Sequence, residues 1–160
     1  LRVAKSYGAT EIIQAGTPEG DARLEELKAD PLDLVVEAAG VERTVQQLTN
    51  GANSVIVVIT DEPTSLTDAY AFIKVMQTES PRLRFQVVAN AVNSTREGER
   101  TYNTLLKACE GFLKISPPLL GVIRRDSKVP GTIRSQTSLM TRYPNTEAAT
   151  DVENIAKKLV

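Results

Sequence analysis

Apolar residues recur along this chain in two rhythms. Five short segments are close to continuous apolar runs: Glu11–Ala15, Asp33–Ala38, Ser54–Thr60, Phe85–Ala91 and Leu119–Ile123. Such runs suit strands covered on both faces of a sheet. Between them, apolar residues return every three or four positions, as on one face of a helix. Leu66, Ala69, Phe72, Ile73 and Met76 make one stripe. Tyr102, Leu105, Leu106, Cys109 and Leu113 make a second, and Val152, Ile155, Ala156 and Leu159 a third. Alternating strand and helix predicts an α/β protein: a three-layer α/β/α sandwich on a mainly parallel sheet of about five strands. There is no repeat, low-complexity tract or linker, so residues 1–160 are expected to form a single α/β domain.

Local signals punctuate the same elements. Ser65, with Asp68 three residues on, predicts a helix start as a variant capping box. Asn145 or Thr146 can cap the last helix, with Glu147 in its first turn. Pro31, Pro81 and the pair Pro117–Pro118 fall between elements, where proline belongs. In a parallel sheet, ligands bind beyond the carboxyl ends of the strands. That places any site on the loops Gly16–Pro18, Ala39–Val41, Asp61–Ser65, Asn90–Ser94 and Arg124–Lys128.

Composition narrows the chemistry. Hydrophobic residues make up 41% and charged residues 24%, ordinary for a globular domain, and the formal net charge of −1 gives no sign of a general nucleic-acid binder. There is no histidine, which removes the commonest general base and metal ligand, and no metal site is expected. The single cysteine, Cys109, cannot form an internal disulfide and fits a cytoplasmic setting. With Leu105, Leu106, Phe112 and Leu113 at helical spacing, it is expected to be a small buried hydrophobe. No apolar run approaches the ~18 residues of a membrane span. The chain opens on Leu1 rather than methionine, inside a helical pattern, and a fragment or trimmed chain is one expectation.

The missing motif matters most. There is no G-x-x-x-x-G-K-[ST] and no G-x-G-x-x-G, and the nine glycines are scattered. The chain therefore shows neither the backbone cradle nor the lysine with which such loops hold phosphates. What remains are candidates at strand ends. Asp61 and Glu62 are adjacent carboxylates, suited to a metal-linked or water-positioning role or to a solvated loop at a helix start. Asn90, at the end of a buried run, is placed to pair with a base edge or to cap the next helix. Arg124, Arg125 and Asp126 follow the last strand, as site residues or as a surface turn. Glu37 lies inside LVVEAAG, where a carboxylate needs a partner.

From about Asn50 onwards the chain resembles the MinD/ParA-type P-loop ATPases, in the branch that regulates flagellar number and position. The stretches that carry the resemblance are VIVVITDEPTSLTDAYAFIKVM, FQVVANAVNSTREGERTYNTLLKACEGFL, LLGVIRRDSKV and SQTSLMTRYPNTEAATDVENIAKKL. It implies that Asn90 contacts adenine, that Asp61 lines the phosphate side, and that the loop carrying Arg124 and Asp126 closes over the base. Arg124 replaces the family's usual proline there. Pro130 and Gly131 stand where the family has a well-formed helix. They cost ~3 and ~1 kcal/mol in a helix interior, so that helix is expected to start later or be remodelled.

Residues 1–47 look different. LRVAKSYGATEII and DLVVEAAGVERTVQQ resemble the Rossmann domain of medium-chain zinc-type dehydrogenases, without the zinc ligands. VVEAAG is one residue shorter than the ATPase family's D-T-x-A-G. Two half-folds joined near residues 48–52 imply a chimera, natural or engineered. On that basis the main expectation is a non-catalytic scaffold, with no catalytic residues and no cofactor. The alternative is a MinD/ParA-type adenine-nucleotide-binding regulator that takes ATP and Mg2+, or a divergent relative seen without its phosphate-loop half. No partner is certain, a homodimer stays open, and the strand order is not deducible.

Overall fold

The computed structural model describes Ala9, Glu11, Ile13, Gln14, residues 17–27, the backbone of residues 35–37, and residues 53–159. In chain order the elements are α1 (Pro18–Leu27), β1 (Val35–Glu37), β2 (Ser54–Ile59), α2 (Pro63–Glu79), β3 (Arg84–Val92), α3 (Thr95–Ala108), a π-helical turn (Cys109–Leu113), β4 (Leu119–Arg124), α4 (Val129–Arg134), α5 (Leu139–Arg142) and α6 (Glu147–Ala156). The strands form one sheet in the order β1-β2-β3-β4, and every pair is parallel. The expected parallel α/β sheet is therefore present, with four strands among the described residues. The predicted strand at Glu11–Ala15 falls partly, and the junction near 48–52 wholly, outside those residues. Glu11, Ile13 and Gln14 themselves are not in a strand. The loop at 39–41 and the side chain of Glu37 also lie outside what is described.

Strand order dictates where the helices go. Parallel crossovers are right-handed as a rule, and β2, β3 and β4 add in one direction, so α2 and α3 are expected to share one face of the sheet. They do. Ala69, Ile73 and Met76 of α2 and Leu105 of α3 bury with Val55, Val57, Ile59, Phe85, Val87 and Ala89 in one cluster that also takes in Cys109. The opposite face packs Ile56, Val88 and Leu120 against Ile155 of α6. This is the three-layer arrangement.

One helix start differs from expectation, and a second takes one of the two forms expected of it. α2 begins at Pro63, two residues before Ser65, with Glu62 as its cap residue. Proline at the first helical position loses nothing, because its missing N–H would have no partner there. Ser65 instead turns back and accepts from the Thr60 N–H at 3.0 Å. α4 does not start later to avoid Pro130. It starts at Val129, takes Pro130 into its first turn, and is only six residues long. Thr146 caps α6, accepting from Ala149 N–H at 3.4 Å.

Cys109 is fully buried, as expected, and burial pushes its thiol up, with Glu110 adding to the shift. Phe112 is not its neighbour in the core: it is 79% exposed. The π-helical turn after α3 spoils the 3.6-residue register on which the expectation rested, and Lys114, at φ 60°, ends it.

Candidate functional site

Because every strand is parallel, the ends of β2, β3 and β4 all open on one edge of the sheet. After β2, Thr60 and Ser65 tie the turn together, and Glu62 N–H reaches Thr60 Oγ1 at 3.4 Å. Asp61 and Glu62 are exposed there. The positive end of the α2 dipole favours negative charge at this point.

β3 ends in a bulge. Asn90 pairs with Ile123 and Val92 with Arg124, so Ala91 has no partner. Its φ is 57°, the left-handed region that suits glycine. Arg125 holds the bulge, donating its N–H to Val92 O at 2.7 Å and its Nε to Ala91 O at 3.1 Å. Asn90 is not a helix cap. Ser94 caps α3, accepting from Glu97 N–H at 3.2 Å, while Glu97 accepts from Asn93 N–H at 2.7 Å. Asn90 is half-buried, and among the described residues nothing hydrogen-bonds its side chain. Its amide is free to recognise a ligand. The Ser94-x-x-Glu97 capping signature was visible in the chain and would have excluded Asn90 as the cap.

β4 ends in groups that are already engaged. The Arg124 backbone N–H and Nε both donate to Asp151 Oδ2, at 3.0 and 2.9 Å, and Nη2 donates to Oδ1 at 2.9 Å. Nη1 reaches Glu147. Burial raises the Asp151 carboxyl, but the Arg124 hydrogen bonds and charge outweigh it, so the group sits below the usual carboxylate range. Asp126 accepts from Lys128 N–H at 2.8 Å, which, with Thr146 and the Ala148 N–H, lowers its carboxyl. Arg124 and Asp126 thus fasten the β4–α4 loop to α6, while Asn90 and Asp61 keep free polar groups at neighbouring strand ends. Asp151 is not among the residues that the sequence singles out. Its signal is a carboxylate three residues after Ala148 and four before Ile155, on the buried stripe of α6.

Among the described residues no group of three or more His, Cys, Asp or Glu side chains could hold a metal ion.

A parallel sheet with helices on both faces and a site along the strand ends defines an α/β protein with the fold of the MinD/ParA-type ATPases. The chain covers 89% of itself on the septum site-determining protein MinD complexed with Mg-ADP from Pyrococcus horikoshii, and 54% of that chain, at a TM-score of 0.57 and 18% identity. Two sequence relatives are more specific. The chain is 34% identical over 133 residues to the antiactivator FleN of Pseudomonas aeruginosa, covering 82% of this chain and 48% of FleN. It is 31% identical over 132 residues to the flagellum site-determining protein YlxH of Helicobacter pylori, covering 81% of this chain and 44% of YlxH. The chain spans about half the length of these curated relatives. No family model matches it.

The MinD/ParA resemblance is thereby supported. The chimera is not: the FleN alignment takes in more of the chain than residues 48–160 contain, and these matches do not show a dehydrogenase-like first third. The expectation of an inert scaffold without a cofactor is likewise unsupported. No helix among the described residues is long and apolar enough to cross a membrane.

Proposed function

We propose that this chain belongs to a cytoplasmic MinD/ParA-type regulator of flagellar number or placement, whose part here is to recognise the adenine of a bound nucleotide. The observation that carries this is the 34% identity with FleN across four-fifths of the chain, on a sheet of matching fold. The kinship with YlxH points the same way. In this reading Asn90 hydrogen-bonds the base edge, using an amide that offers both donors and an acceptor. Arg124 and Asp126 hold the covering loop by anchoring it to α6, and Asp61 stands toward the phosphates. The Mg-ADP named with the archaeal MinD structure is the nucleotide class this site is expected to accept.

Calorimetric titration with ATP and magnesium, with NAD in parallel, tests it. Heat from ATP that falls at least tenfold in affinity on Asn90→Ala, with an unchanged melting temperature, is the expected result. A tenfold loss is about 1.4 kcal/mol, the size of one good hydrogen bond. No heat from ATP, in a protein that melts cooperatively, would remove the nucleotide from this proposal.

A further inference from the structure

Between β4 and α6 the chain gathers cations. Residues 124–143 hold Arg124, Arg125, Lys128, Arg134 and Arg142 against the single acid Asp126, in a chain whose formal net charge is −1. Asp151 and Glu147 answer Arg124. The other four are exposed, and among the described residues none has a carboxylate within ion-pair distance.

Their arrangement is built. Lys128 Nζ lies 5.6 Å and Arg142 Cζ 5.5 Å from the centroid of the Tyr143 ring, so one aromatic side chain engages two cations. Arg142 Nη1 also donates to Ser135 Oγ at 2.6 Å. That bond pins the end of α5 to the end of α4, beside Arg134. Within the same two helices Ile133 is 69% and Met140 38% exposed.

We propose that this α4–α5 face docks an acidic, leucine-bearing segment of a protein partner. Arginine, aromatic and methionine side chains are the types enriched at the centres of protein interfaces. Exposed cations with no carboxylate in ion-pair distance, two of them against one ring, favour an acidic partner. An anionic bilayer suits the face less, because helices of six and four residues cannot lay a continuous apolar face into a membrane. A nucleic acid suits it less, because the chain as a whole carries no positive excess. The proposal uses neither Asn90 nor Asp61, and the residues that test it, Ile133 and Arg134, lie outside the loop assigned to the base.

Fluorescence anisotropy with a dye-labelled peptide of glutamates interleaved with leucines tests it, alongside phosphatidylserine vesicles and duplex DNA. The expected result is saturable peptide binding that weakens with salt and falls about tenfold in Arg134→Glu. Ile133→Ser weakens it several-fold, and Lys74→Glu, on exposed α2 surface, leaves it unchanged. Ile133 is exposed, so its variant is expected to melt as the parent does. Absence of peptide binding overturns the proposal, as does binding indifferent to both variants. Tighter binding of vesicles or DNA with the same sensitivity overturns it too. So does self-association in sedimentation that Arg134→Glu abolishes, which would give the face to a second copy.

Discussion

Asp151 accepts three hydrogen bonds from one residue, Arg124, including its backbone N–H. Its carboxyl lies below its ordinary value in the folded protein, so the ionised form binds better folded than unfolded. The stabilisation is fully present above the unfolded value of about 3.9 and is lost as pH falls through the lower, folded value. Asp151→Asn is expected to lose about 1–2 kcal/mol at neutral pH and to flatten the acid limb of stability, checked by urea unfolding across that range. Ala91 makes the opposite prediction. A left-handed conformation costs a Cβ-bearing residue about 1–2 kcal/mol, while glycine's extra freedom when unfolded returns about 0.5–1. Ala91→Gly is therefore expected to hold or raise the thermal midpoint, and Ala91→Val to lower it. Asn90 could be placed at the end of its strand from the sequence. That its amide stays free while Arg124 is tied to α6 could not, because the partner carboxylate lies 27 residues away.

β4 and α6 meet where the chain has no room for a side chain. A Cβ on Gly121 would lie 2.4 Å from Ile155 Cγ1. Gly121→Ala is expected to cost about 1–3 kcal/mol by overpacking. Adding Ile155→Ala should cost less than the two single changes summed, since the second removes the clash made by the first. Chemical denaturation of the two single variants and the double variant measures this. The elements themselves were largely legible. β2, β3 and β4 fall within a residue or two of the apolar runs that predicted them, and most side chains of β2 and β3 are buried in the sheet. The errors lie where local signals compete. Ser65 has the residue type of a cap, but Pro63 already starts the helix. Pro130 reads as a breaker, yet it is harmless in a first turn.

Across the whole molecule, sequential strand order places α2 and α3 on one face and α6 on the other, and it lines up three strand ends along one edge. Among the described strands the order never reverses, so the crevice that a topological switch would open is not formed between them. The candidate site is a strip of loop ends. This gives the nucleotide proposal its particular form: recognition of a base at β3 and β4, with the α4–α5 cations turned toward a protein.

Periodicity, capping residues and proline positions carried the class of fold and the strand positions. Both are local, and burial of one face imposes them residue by residue. Which polar groups at the strand ends are free and which are engaged was settled by packing. Asp151 lies 27 residues from Arg124 along the chain, and only the docking of α6 on β4 brings the two into hydrogen-bonding range. The exposure of Phe112 and the bulge at Ala91 have the same origin. Each follows from how one element must end so that the next can pack, and no single stretch of residues encodes that.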